Sequence, residues 1–191
     1  YGDPLAAARV WMTLDVLGTD MRQGVVFTGR PSAGATLSVV ASVPYPSHAT
    51  FIDMDRDGIK DLLVGDMGAF YPADHRKGAV IWLRGLGNGK FTAALWLDEW
   101  PRVADVETAD FNGDGRNDLA VAAFGWRTTG HVTIAENRTT NASQPSFFNH
   151  LIDKRSGAIH MIPTDLNADG KMDFVVLLAQ ELEPLHEREA A

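Results

Sequence analysis

Cysteine is absent from the 191 residues, which excludes a disulfide framework, thiolate metal sites and cysteine nucleophiles. Stability therefore has to come from packing or from hard metal ions. Long apolar runs are also missing: nothing approaches the 18 or so residues of a membrane span, and a stretch such as Phe174 to Ala179 is only strand-sized. Basic residues are outnumbered, 17 Lys and Arg against 25 Asp and Glu for a formal net charge of -8, and they form no cluster. Nucleic acid is thus not an expected partner, because phosphate binding needs a basic footprint. No nucleophile elbow, phosphate loop or H-E-x-x-H pattern occurs, so the chain is not expected to be an enzyme. With Tyr1 first and no signal-peptide pattern, it is expected to be a processed protein or a piece of a longer one.

What is abundant is aspartate in a fixed arrangement. Three segments share the pattern D-x-[DN]-x-D-G-x-x-D: Asp53-Met-Asp55-Arg-Asp57-Gly58-Ile59-Lys-Asp61, Asp110-Phe-Asn112-Gly-Asp114-Gly115-Arg116-Asn-Asp118, and Asp165-Leu-Asn167-Ala-Asp169-Gly170-Lys171-Met-Asp173. Their first aspartates stand 57 and 55 residues apart. One match is expected by chance at roughly one start position in a million, so three at a near-constant period are a repeat.

The spacing suits a hard cation. An ion of calcium size takes six to eight oxygens, and positions one, three and five supply three side-chain oxygens. Glycine at position six lets the backbone turn sharply, position seven (Ile59, Arg116, Lys171) can offer a carbonyl, and the aspartate at position nine (Asp61, Asp118, Asp173) closes the shell. About three Ca2+ per chain are expected, moving the formal charge from -8 to -2. A metal-free Asx-rich turn needs only one or two such residues. An EF-hand is excluded, because position twelve is Val64, Val121 and Val176 where that motif requires glutamate.

After each loop comes a short branched apolar run (Leu62-Leu63-Val64, Leu119-Ala120-Val121, Phe174-Val175-Val176-Leu177), which reads as a strand buried on both faces. Strands are expected at 61-66, 78-84, 91-98 and 104-110, then 118-123, 130-136, 147-152 and 158-165, with 10-16, 24-29, 36-43 and 173-179 at the two ends. Four antiparallel strands per period make a β-propeller blade, so the fold class expected is all-β. The blades are a partial one over 1-46, whole ones over 47-103 and 104-158, a partial one over 159-180, and a helical or loose tail over 181-191.

The stretch Ala104-Asp105-Val106-Glu107-Thr108-Ala109-Asp110-Phe111-Asn112-Gly113-Asp114-Gly115, followed by Asp118-Leu119-Ala120-Val121, resembles the FG-GAP/VCBS repeat family over roughly residues 45 to 180. The resemblance implies a secreted or surface β-propeller in which calcium props up each blade between its first and second strands. No clear FG-GAP tripeptide run stands in the chain, so the VCBS side of the family fits better. The family is functionally broad and implies fold and metal better than task.

Other residues invite a function. His48 and His160 lie five residues before the first aspartate of their loops and Asp105 holds the same register, which places all three on the face opposite the loops. They are either a second metal or ligand site or polar residues satisfied where a strand begins. Arg22, Phe70, Tyr71, Asp74, His75, Arg76, Trp126 and Arg127 fall in connections on that same face, as a glycan or protein surface or as packed rim residues. Asn137 and Asn141 match the glycosylation sequon. The functional expectation is an extracellular structural or interaction module for assembly or adhesion. A glycan-binding propeller and the non-catalytic part of a larger secreted enzyme are the alternatives. Partial blades at both ends lead to an expectation of self-association into a ring or filament by strand completion.

Overall fold

The computed structural model describes residues 16-29, 37-93 and 95-179, and all regular elements among them are strands. A first sheet, of order β1-β2-β3, comprises β1 (Val16–Asp20), β2 (Val25–Gly29) and β3 (Ser38–Ser42). Next come β4 (Pro46–Ile52), β5 (Asp61–Asp66) and β6 (Gly78–Leu83), a small hairpin of β7 (Gly85–Gly87) and β8 (Lys90–Phe91), and β9 (Leu95–Trp100). Apart from that hairpin they form a four-stranded sheet of order β4-β5-β6-β9. A second four-stranded sheet follows, from β10 (Val103–Ala109), β11 (Asp118–Ala123), β12 (His131–Asn137) and β13 (Phe147–Asp153). Finally, β14 (Ala158–Thr164) pairs with β15 (Asp173–Leu178). All pairings are antiparallel between sequence neighbours within each sheet, the up-and-down order of propeller blades.

The unbroken apolar runs follow from stacking. Every residue of β5, β6 and β11 is buried, because each strand sits mid-sheet with a further sheet on both sides. Side chains alternate faces along a strand. Thus Leu62 and Val64 join Val26, Val43 and Ile81 in a core between the first and second sheets, while Leu63 joins Trp82, Val103, Leu119 and Val121 in a core between the second and third. On β11 the other face carries Ala120 and Ala122, which meet Ala158, Met161 and Phe174 of the last sheet. Phe111 and Phe174 meet edge-on there, with centroids 6.0 Å apart.

Three expectations need correction. The strand placed at 91-98 is Leu95–Trp100, and the residues before it fold as the β7-β8 hairpin, turned by Asn88 (φ 52) and Gly89 (φ 70). Asn-Gly with both residues left-handed is the favoured two-residue hairpin turn, a signal present in the sequence. The strand placed at 10-16 is Val16–Asp20, residues 10-15 lying outside the described ones. Moreover, β1 packs on β4 as β5 packs on β10, and Asp20 and Asp66 close their strands alike, each accepting backbone N–H groups of the following turn. That step is 46 residues rather than 55 to 57, so the second-strand role falls at 16-20, and the residues before Val16 lie outside the described ones. The expected tail over 181-191 lies outside the described residues.

Candidate metal centre

Each aspartate-rich loop joins the first and second strands of its sheet: residues 53-60 between β4 and β5, 110-117 between β10 and β11, and 165-172 between β14 and β15. All three fold alike. The first aspartate accepts the N–H of the glycine (Gly58 to Asp53 Oδ2 3.0 Å, Gly115 to Asp110 Oδ2 2.7 Å, Gly170 to Asp165 Oδ2 2.9 Å). Position three accepts the N–H of position five: Asp57 to Asp55, Asp114 to Asn112 and Asp169 to Asn167. Position five in turn accepts the N–H of position seven, from Ile59, Arg116 and Lys171. The glycines have φ of 84°, 83° and 82°, a backbone that L side chains rarely adopt. Position four is left-handed too, at Arg56 (φ 61), Gly113 (φ 77) and Ala168 (φ 59), a feature the sequence pattern marks only by the glycine in the middle loop.

These hydrogen bonds turn the carboxylates inward. Donor oxygens of Asp53, Asp55 and Asp57 lie within 4.8 Å of one another, an arrangement able to hold a metal ion. Asp53 Oδ1 is buried and has no hydrogen-bond partner, an orphan that fits a cation ligand. The Arg84 guanidinium pairs with Asp55 through Nε and with Asp57 through Nη2 at 3.1 Å, supplying part of the missing positive charge. In the second loop Arg116 Nη2 stands 2.5 Å from Asp114 Oδ2.

Position nine does something further. Asp61 is fully buried and accepts Met54 N–H (3.0 Å), Trp82 Nε1–H (2.9 Å) and Gly85 N–H (2.7 Å), tying the loop to β6 and its exit. Asp118 likewise accepts Phe111 N–H and Asn137 N–H, and Asp173 accepts Leu166 N–H. Burial pushes the Asp61 carboxyl above its usual range and the Asp55 charge adds to this, while the N–H donors pull the other way. Asp118 is raised in the same manner, by burial and by Asp114 and Asp110. A cation in the loop reverses the Coulombic part.

At the other end of the first strands, the residues in matching register come together. His48 Nδ1 lies 2.9 Å from Asp105 Oδ1, and His160 Nδ1 lies 2.7 Å from Asp105 Oδ2, across three successive sheets. Glu107, two residues along β10 and hence on the same face as Asp105, approaches His48 Nε2 at 3.5 Å. Glu107 was not singled out from the sequence, because the residue it meets is on another blade. Burial alone would lower the His48 pKa, but the Asp105 and Glu107 carboxylates outweigh it and raise it. Burial and the Asp105 charge push Glu107 up.

The loop residues on this face are partly spent on structure. Asp74 Oδ1 accepts N–H groups of Arg127, Thr128 and Thr129 and the Thr129 hydroxyl, clamping the next blade's loop, and these donors bring its pKa to about 2. Arg76 donates to the Glu99 carbonyl and His75 Nδ1 accepts Lys77 N–H. Arg22 sits in the β1-β2 turn, Arg127 is exposed and Trp126 half-buried. Phe70 and Tyr71 form an exposed edge-on pair, with Tyr71 78% accessible. Of the two sequons, Asn141 is exposed but Asn137 is not suited to a glycan: it is 3% accessible and its Nδ2 donates to the Asn117 carbonyl.

No curated protein matches the chain. Among the described residues no helix is long and apolar enough to cross a membrane. The FG-GAP-like repeat family matches twice, over residues 53–121 and 110–176, each match beginning at the first aspartate of a loop and ending within the second strand of the following blade. With three like-folded loops between the first and second strands of successive blades, the chain belongs to the FG-GAP-like repeat family.

Proposed function

We propose that this chain is a non-catalytic, extracellular structural or interaction module whose blades are fixed by about three calcium ions, one in each aspartate-rich loop. The observation that carries the reading is the first loop, where Asp53, Asp55 and Asp57 converge and a buried carboxylate oxygen of Asp53 lacks a partner. Oxygen-only donors on a glycine-turned loop suit a hard cation. The extracellular placement rests on the typical setting of FG-GAP repeats, and it implies calcium sites of about 10⁻⁴ to 10⁻³ M. Calcium titration of the chelator-treated chain by calorimetry tests it: about three equivalents are expected, and absence of saturable binding at millimolar calcium would refute it.

Association belongs to the same proposal. Among the described residues β15 is the open edge of a two-stranded sheet, and Ile162, Leu166, Val175 and Leu177 around it are about half or more exposed. An apolar sheet with an unpaired edge takes a further strand, and a second copy of the chain is the assembly proposed here. The exposed Phe70-Tyr71 pair favours a second reading, a glycan-binding surface, which array binding lost in Tyr71→Ala would support.

A further inference from the structure

The cluster on the innermost strands is built, not incidental. In β4, β10 and β14 alike, the pairing register slips by one residue, between Pro46 and His48, between Val103 and Asp105, and between Ala158 and His160. A bulge at the same place in three blades re-aims the side chain that follows it, and bulges often sit beside functional sites. Ser47, the residue skipped in β4, ties the strands together through its hydroxyl, whose single proton is shared between the carbonyls of Val103 (2.7 Å) and Gly65 (3.0 Å).

The donor atoms that result are unspent. Five buried side-chain polar atoms lack a hydrogen-bond partner among the described residues, and two of them, His48 Nε2 and Asp105 Oδ1, are here. Asp105 is 2% exposed, and its Oδ1 lies 2.9 Å from His48 Nδ1 without forming an aligned hydrogen bond. Its other oxygen is fully used, accepting Met161 N–H at 2.8 Å and facing His160 Nδ1 at 2.7 Å. One oxygen held from outside and one left bare is how a monodentate carboxylate ligand is supported. Glu107 Oε1 and His48 Nε2 are 3.5 Å apart, too far for a good hydrogen bond. Two ligands each about 2.1 Å from a tetrahedral ion stand about 3.4 Å apart. Donor atoms of His48, Asp105 and Glu107 all lie within 4.8 Å of one another.

We propose that His48, Asp105 and Glu107 bind a divalent transition ion of the zinc class at the inner end of the blades, with His160 orienting Asp105. An imidazole donor separates this site from the oxygen-only loops and selects against calcium. Two carboxylates beside one neutral imidazole carry the charge to match a divalent ion. The site rests on the fold and not on calcium in the loops, so its failure and theirs are distinguishable.

The test uses the whole chain saturated with calcium, titrated with Zn2+ by calorimetry and with Co2+ by visible absorption. The expected result is one equivalent bound, with a cobalt spectrum of low coordination number that excess calcium does not reduce. His48→Ala and the isosteric Glu107→Gln should each weaken binding by about 100-fold or more, and His160→Ala by about 10- to 100-fold, in chains whose circular dichroism is unchanged. Absence of zinc binding in the wild type, binding equal in Glu107→Gln, or displacement of cobalt by calcium would each overturn the assignment.

Discussion

Glycine at the sixth loop position and aspartate at the ninth act by different means, and substitutions separate them. A Cβ added at Gly58 would meet nothing within 4 Å, so Gly58→Ala is purely a backbone change at φ 84°. It should cost about 1 to 2 kcal/mol in denaturant unfolding whether or not calcium is present. Asp61→Ala instead leaves three buried donors, Met54 N, Trp82 Nε1 and Gly85 N, unpaired. At about 1 to 3 kcal/mol per unsatisfied group, it should destabilise the chain by at least 3 kcal/mol even in chelator. Equal stability of Asp61→Ala and wild type in chelator would show the residue to be a ligand alone. Ranking of the loops also changes once neighbours are counted. The first loop has four carboxylates and the second and third have three each, which taken alone makes the first the tightest. Arg84 offsets one charge in the first and Arg116 one in the second, whereas no ion pair reaches the third among the described residues. The second loop should therefore empty first under chelator, and Arg84→Gln should tighten the first, both readable by loop-resolved NMR titration.

Connections between blades carry their own chemistry. Asp74 holds three successive N–H groups of the 127-129 segment, so Asp74→Ala should speed hydrogen exchange there by about tenfold or more while leaving the calcium loops protected. At the start of β12, His131 packs near Trp100, with centroids 5.9 Å apart, and burial followed by the Arg76 charge holds its pKa below 6.5. The unfolded imidazole thus takes up its proton first. This residue's contribution is complete above pH 6.5 and is lost as pH falls through 6.5 towards its lower folded value. His131→Gln should flatten that part of the melting-temperature profile, and an unchanged slope would contradict the assignment. Elements whose constraints are local were legible in the sequence: β5, β11 and β15 follow loops of fixed length, and burial on both faces leaves an apolar run in β5 and β11. The same burial expected of β15 is not found: its sheet has two strands among the described residues, and Val175 and Leu177 are about half exposed. The β7-β8 hairpin falls mostly in the connection expected between strands 78-84 and 91-98, and its one local signal is the Asn88-Gly89 turn.

At the scale of the whole molecule, legibility depends on whether partners share a blade. His48, Asp105 and His160 could be aligned by period alone, but the bulges that aim them, the role of Glu107 and the inward burial of Asn137 arise from neighbouring sheets and leave no local signature. The short 46-residue first step was hidden for the same reason: what identifies β1 is its packing on β4. Self-association is checked by light scattering of the calcium-saturated chain, where a mass above the 20.8 kDa monomer that returns to monomer on Val175→Lys and Leu177→Lys substitution is expected. In the proposed function, calcium is the element on which the blades depend. Without it, like charges crowd each loop, and with it three sites at about 10⁻⁴ to 10⁻³ M should add several kcal/mol at about 10 mM calcium. Differential scanning calorimetry of one preparation in calcium and in chelator measures this directly. A melting temperature at least about 10 °C higher in calcium is the predicted result, and superimposable melting curves would contradict it.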